Sequence, residues 1–569
     1  RGGISIEKKS ELQKKAADVS CSADDACRAA VHPDATCDCT KDVDSGGKKL
    51  PVCANNVTSV CTVTAPVFIA LFEVGKFNKL PVPSAALKLE ANKQSCEADA
   101  DCVGVHKAAS CNQELGYCTV EGLFPFSASR ARAFHTAQVA GDGKVLFAGG
   151  FNRQRTSDDT YFAGAPFFEA YNPYTGLFEA PTVQENYGGQ NVGLHCSVLL
   201  GDDRLVLTGG ISELKLGYEL SDDLTMRWQI PHEFSCPDGD CINFSRSIVA
   251  ANLTSGSVVQ GMLNTRLLFH RSGYVLRGAD DFVLVTGGLT FSDAAKAAPF
   301  NQHILCTAAD ILADDPNMSC AVSQNADTFP PRFAHADACL VGGEMGDPCD
   351  EYMTFGGVNE GEPPGEVFSS SADPFNTLLA FSDTTSLAKA HLSELARVET
   401  NDSEPAKLYS FGGVNGITTS NMGDKGLLLV DFPAPAMQPA QINVNLNETN
   451  YSMTPGALDL TALDHADEVY RLFHTVTVLE GGRIMLSGGL GADSLPSKSV
   501  LFFEEPATHA LTYIAKASMR EARFGHTATV IEHGLLKGAV LVVGGFNIAD
   551  TESGAIQFAD GAEIYIPNF

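Results

Sequence analysis

The chain has 569 residues, 44% of them hydrophobic, and a formal net charge of −30. That apolar content is enough for a large buried core, and so acidic a surface argues against a nucleic-acid partner. No apolar run reaches the roughly 18 residues of a membrane helix; APVFIALFEV at 65–74 is too short.

From the N-terminus, the chain opens at Arg1 with no signal peptide in view. The expectation is therefore a processed, secreted or cell-surface protein with any lipid anchor lying upstream. Residues 1–118 hold ten of the seventeen cysteines. Two stretches match each other: CSADDACRAAVHPDATC at Cys21–Cys37 and CEADADCVGVHKAASC at Cys96–Cys111, each with a Val-His in its second gap. Zinc is the rival to disulfides here, but paired Cys-x-x-Cys knuckles are missing. Dense cysteine in a short segment predicts a disulfide-stapled region in an oxidising compartment; the pairing of its ten cysteines stays open.

From 119 to 569 the sequence repeats. Apolar residues followed by Gly-Gly recur seven times, as VLFAGG (145–150), LVLTGG (205–210), VLVTGG (283–288), YMTFGG (352–357), LYSFGG (408–413), IMLSGG (484–489) and LVVGG (541–545). Upstream of four copies stands Arg-x-x-His: Arg132–His135, Arg332–His335, Arg471–His474 and Arg523–His526. The third copy is stretched to Arg266–His270, the second keeps only GLHC around His195, and the fifth runs through SELARV. A β-type run after the His, a polar turn and the strand into Gly-Gly make a hairpin. EAYNPYTGLFEAP at 169–181 supplies two further strands, so each unit predicts one four-stranded propeller blade.

The hydrophobic run, the Gly-Gly, and Tyr171 and Trp228 at the family's aromatic positions resemble the kelch repeat. Phe178 and Leu511 stand as packing residues in copies without Trp. The resemblance implies an all-β, seven-bladed kelch-like β-propeller over 119–569, preceded by the small disulfide-rich region. The last unit lacks a fourth strand, and EGLF at 121–124 matches TGLF at 175–178. Residues about 119–126 are therefore expected to pair with the final strand near 562–566. The six intervals between Gly150 and Gly545 average about 66 residues, against about 50 for the family. The excess falls chiefly in 211–265 and 414–470, which are expected to be face loops that contact a partner.

Seven cysteines lie in the repeats. Local loop closure predicts Cys236–Cys241, Cys306–Cys320 and Cys339–Cys349, with Cys196 left as a free thiol in a core strand. The histidines His135, His195, His270, His335, His474 and His526 occupy equivalent positions. Symmetry spreads such positions around an axis instead of bringing them to one metal, so a structural role is expected for them and for the arginines.

No catalytic motif stands out. The copper radical oxidases that share the kelch fold use a Tyr-His pair, and none of the thirteen tyrosines here precedes His. Sialidase boxes, Gly-x-Ser-x-Gly elbows, phosphate loops and haem motifs are missing from the sequence. Asp24 and Asp25, Glu97, Asp99 and Asp101, and Asp459, Asp464 and Asp467 offer calcium-type oxygens without EF-hand spacing, and solvated carboxylates are the simpler reading. No cofactor is expected. Seven Asn-x-Ser/Thr sequons, Asn56, Asn243, Asn447 and Asn450 among them, matter only where the host glycosylates them. The expectation is a non-catalytic binding or assembly protein that contacts protein or glycan at a cell surface, further copies of the chain included. The alternative is an enzyme, hydrolase or lyase, acting on extracellular polysaccharide.

Overall fold

The computed structural model describes most of residues 131–567, apart from stretches of the connections. Before that it describes short pieces at 36–38, 60–62, 74–79, 95–96, 98, 101, 110–112 and 117–119. The chain is almost wholly β. Helix among the described residues is limited to Ala308–Leu312, the 3-10 turn Ala466–Val469 and a 3-10 position at Asp101.

The repeats form seven four-stranded antiparallel units, sheets 1 to 7; a parallel Val275–Cys349 bridge joins sheets 3 and 4, sheets 5 and 6 each carry a short fifth strand in parallel, and the outer strand of sheet 7 comes from the N-terminal region. In the first, Thr136–Val139, Val145–Ala148, Phe168–Asn172 and Leu177–Glu179 lie side by side in chain order. The same meander follows from Cys196–Leu200 in sheet 2, Arg271–Arg277 in sheet 3 and Ala336–Gly342 in sheet 4. It continues from Glu394–Val398 in sheet 5, Thr475–Val478 in sheet 6 and Thr527–Val530 in sheet 7. The second strand of each sheet reads as a continuous apolar run because both its faces are covered. Val145–Ala148, Ile484–Ser487 and Val540–Val543 are buried at every position.

Apolar layers lie between consecutive sheets. Val145, Phe147, Tyr171 and Phe178 of sheet 1 pack with Leu541, Val543 and Ile564 of sheet 7. Met485 and Phe502 of sheet 6 pack with Val542 and Tyr565 of sheet 7. Similar layers join sheets 1 and 2, 2 and 3, 3 and 4, and 5 and 6. The first strand of each sheet touches that of the next, and the seventh touches the first.

Two expectations are corrected here. The outer partner of Ala562–Tyr565 is Phe77–Lys79, paired antiparallel as Phe77 with Tyr565 and Lys79 with Glu563. With Val540–Val543 on its other side, the final strand has no edge left for 119–126. Of that segment, Thr119 pairs with Ser110 and 120–126 lie outside the described residues. The boundary expected at 118/119 is therefore crossed by a strand from the N-terminal region.

The long intervals are also not loops. Glu213–Glu219 and Thr225–Pro231, from 211–265, join Thr418–Met422 and Leu427–Phe432, from 414–470, in one six-stranded sheet with Phe151–Arg155 and Asp158–Gly164. Ala440–Val444 and Ser452–Gly456 are the third and fourth strands of sheet 5. A run of this length with alternating apolar residues finds lower free energy as hairpins than as bare loop.

Cys306 is bonded to Cys320, Cys339 to Cys349 and Cys96 to Cys111. Cys306 and Cys320 are cross-strand partners in sheet 3, which sets them at bonding distance. Cys236 and Cys241 lie outside the described residues.

Candidate functional site: a central polar cavity

The repeated phrase has a physical reading. Gly149 and Gly150 adopt φ of 57° and 88°, a region that L side chains avoid. A Cβ on Gly149 would stand 2.5 Å from His195 Cε1 of the next sheet, and one on Gly150 would meet His135 of its own sheet. The doublet is thus the slot into which two histidines fit. Five of the six rings then tie neighbouring sheets through a hydroxyl. Nε2 of His135 lies 2.9 Å from Thr527 Oγ1, His195 3.0 Å from Thr136, His270 2.9 Å from Thr208, His335 2.9 Å from Thr286 and His526 3.1 Å from Thr475. Burial lowers the pKa of every one of these rings, to about 4 for His195 and about 3 for His270 and His474. They are neutral rings, and all but His474 tie one sheet to the next.

The arginines lock the same corner. Arg132, Arg332 and Arg523 donate from Nη1 to the carbonyl of the first glycine of their doublets. From Nη2 they pair with Glu169, Glu366 and Glu563, at 3.3, 3.3 and 2.7 Å, all buried.

The residue before each His turns the chain. Phe134, Leu194, Phe269, Ala334 and Phe473 have φ of 54–56°, and Gly525 has 62°. The fifth copy fits as well: Leu392 has φ 57°, with Ser393 in place of the His. Five backbone hydrogen bonds link these residues, Gly525 to Phe473, Phe134 to Gly525, Leu194 to Phe134, Ala334 to Phe269 and Leu392 to Ala334. Left-handed backbone costs about 1 kcal/mol per non-glycine residue, so six such residues are held by their surroundings.

What holds them is an apolar layer. Trp228 stacks on Phe473 with ring centroids 4.8 Å apart, and packs on Phe134 at 5.2 Å, Phe269 at 5.8 Å and Phe432 at 4.7 Å. Trp228 was expected at the kelch aromatic position of the second blade. It sits instead in the inserted hairpin, roofing the turn residues of sheets 1, 3 and 6.

Beneath this roof is a cavity of about 400 Å³ walled by the first strands of all seven sheets. Most of its wall is neutral: Thr136, Gln138, Ser197, Ser272, Thr475 and Thr527. Three charges break the pattern. Arg271 Nε donates to the His335 carbonyl at 2.8 Å and lies 3.3 Å from Asp337 Oδ1. Tyr352 donates to Asp337 Oδ2 at 2.6 Å. The Tyr352 ring can reach because Gly273 carries no side chain where that ring passes. Glu394 Oε2 accepts from the Val476 amide at 2.8 Å. Burial raises Glu394 to about 7, against the pull of Arg271 and that hydrogen bond, so it exchanges its proton near neutral pH. Cys196, the free thiol, also lines the wall; it donates to the His270 carbonyl at 3.0 Å, and burial pushes it up to about 12. That thiol is not an activated nucleophile.

Arg271, Asp337 and Glu394 were not singled out from sequence. The available signal was a charge at one of the two positions after the turn's His or Ser, where the other copies carry uncharged residues. Of the acidic clusters, Asp101 accepts from the Ala98 amide, and Asp464 and Asp467 are described. Among the described residues no three His, Cys, Asp or Glu side chains converge on a metal-sized site. Asp24, Asp25, Glu97 and Asp99 lie outside them.

No protein-family model and no curated protein matches this chain. Among solved structures, that of YjhT aligns with 77% of this chain and 99% of that chain at 10% identity, with a TM-score of 0.31, which is too slight a likeness to carry an argument about fold or activity.

Proposed function

We propose that the chain is a seven-bladed, kelch-like propeller acting outside the cytoplasm as a glycan-binding protein, with one sugar unit held in the central cavity. The disulfides fit an oxidising compartment. The contact of the seventh first strand with the first, and the apolar layer between sheets 7 and 1, support a closed ring. The observation that carries the ligand class is the cavity wall: Gln138, Ser197, Ser272 and the threonines line it with amide and hydroxyl groups, bonded to one another or to neighbouring histidines and hydroxyls, that suit the hydroxyls of a sugar, beside a few fixed charges. Binding is tested by saturation-transfer NMR against a panel of neutral mono- and disaccharides. Gln138→Ala and Ser197→Val are expected to weaken binding several-fold with the fold intact. Equal binding by these variants would remove the cavity from the reading.

A second reading, a polysaccharide hydrolase, draws on Glu394. A carboxyl near pKa 7 in the same cavity as Asp337 is the kind of pair that general acid catalysis uses. Release of reducing ends from a polysaccharide, abolished by Glu394→Gln, would favour it. Turnover unaffected by that substitution would eliminate it.

A further inference from the structure

Four arginines begin the repeated Arg-x-x-His phrase, and three of them are locked to a doublet carbonyl and a buried glutamate. Arg471 is the exception. In sheet 6 the glutamate position of the third strand is occupied by Leu501, paired with Leu486 two residues before its doublet, as Glu563 pairs with Val542 in sheet 7. Arg471 is only 3% exposed. Its Nε donates to the Glu468 carbonyl at 2.7 Å. Its two terminal nitrogens have no hydrogen-bond partner among the described residues, and no carboxylate forms an ion pair with it. The Glu468 carboxylate is already engaged by Lys516 at 2.6 Å and by Ser499 at 3.0 Å. Burial lowers the Arg471 pKa to about 10, partly offset by Glu468, Asp493 and Asp467 nearby, so the group stays charged at neutral pH.

The guanidinium faces a groove of about 740 Å³ between sheets 6 and 7 that does not overlap the central cavity. Lys498 and Arg520 add positive charge along it, while Asp467, Asp493 and Glu521 add negative. Glu521 accepts from Asn547, and Asp493 accepts from the Leu495 amide. Ser497, Ser518 and Asn547 give the groove hydroxyl and amide groups. A buried guanidinium with no carboxylate in direct contact is costly, and each of the three locked arginines has a buried glutamate as its partner.

We propose that this groove is a second ligand subsite, one that binds the carboxylate of an acidic sugar: a uronic acid seated on Arg471 with its hydroxyls on the serines and Asn547. The sugar part rests on the glycan reading above; the carboxylate part stands on Arg471 alone. Arg471 is then the anion anchor, since a guanidinium can meet a planar carboxylate with two parallel N–H donors.

The test is titration of the full chain with galacturonic acid, its methyl ester, galactose and acetate, at constant ionic strength. Galacturonic acid is expected to bind, acetate more weakly, and the methyl ester not at this site. Arg471→Gln, which keeps one amide donor for the Glu468 carbonyl, is expected to weaken the acid about tenfold or more. Arg520→Gln should weaken it a few-fold and Lys144→Gln, a charge removed from a turn of sheet 1 outside both the groove and the central cavity, not at all. Thermal unfolding of each variant reports that it is folded. If the acid binds equally to Arg471→Gln, or its methyl ester binds as well as the acid, or the acid does not bind the unaltered chain, the proposal is overturned. Galactose binding lost with Gln138→Ala while the acid fails at Arg471 would leave the central-cavity reading standing without the groove. The reverse pattern would leave the groove without the cavity.

Discussion

The two ends of the central cavity are built on opposite rules. At the roofed end, sequence and structure repeat together: the doublet and left-handed turn in all seven copies, the histidine in six, and in sheets 1, 4 and 7 arginine with glutamate. Along the polar wall the strands repeat in backbone but not in side chain, with Thr136, Cys196, Arg271, Ala336, Glu394, Thr475 and Thr527 at the position after the turn's His or Ser. Symmetry is spent on holding the sheets together, and departures from symmetry are where chemistry is placed. An asymmetric ligand cannot be recognised by seven identical strands.

The comparison can be broken most severely at the roof. Trp228→Ala removes the ring on which Phe134, Phe269, Phe432 and Phe473 pack, and is expected to cost about 3–5 kcal/mol in denaturant unfolding. A loss under about 1 kcal/mol would mean that the roof is a detachable lid. Glu563→Gln should cost about 3 kcal/mol by stranding the buried Arg523. Arg471→Gln, in the copy without the glutamate, should change stability far less. If the two cost the same, the locked and unlocked copies are not different in kind.

Acid should separate the two ends by sign. The buried histidines have folded pKa values below the ordinary 6.5, so their contribution is present above pH 6.5. It is lost as pH falls through that value toward about 4 for His195 and about 3 for His270. Melting temperature is expected to fall steadily over that window, and His270→Gln should flatten the fall. Glu394 acts oppositely and more weakly. Its folded pKa of about 7 lies above the ordinary 4.5, so its contribution is greatest below pH 4.5 and is lost as pH rises to about 7. Glu394→Gln should therefore become relatively more stable than the unaltered chain between pH 5 and 8. An unchanged difference across that range would show that Glu394 titrates normally.

The sequence made the roofed end legible and left the wall obscure for one reason. The doublet recurs seven times and the histidine six, so both could be read as structural from their repetition alone. Arg271, Asp337 and Glu394 each occur once in their register, and Glu394 sat in the copy whose phrase had been lost. Only the left-handed turn at Leu392 shows that Ser393 stands where other copies have His. Trp228 misled because a single tryptophan was matched to a family position when the inserted hairpin could use it equally well. The strand Phe77–Lys79 left no trace at all. A three-residue edge strand is held through backbone hydrogen bonds that nearly any side chains permit, whereas the resemblance of EGLF to TGLF pointed to a different segment.

That short strand has a mechanical consequence. Phe77 faces Tyr565 in an antiparallel pair, so the chain entering at 77 and the chain leaving at 565 emerge at the same end of one ladder. Tension applied between those two points loads the hydrogen bonds one after another, like a zip, and does not shear them all at once. Under tension between these two points the edge strand is thus the part loaded first. A protein tethered through one flank would keep its sheets under load. One pulled through both would give way first between Phe77 and Tyr565, exposing the edge of its last sheet while the other six remained folded.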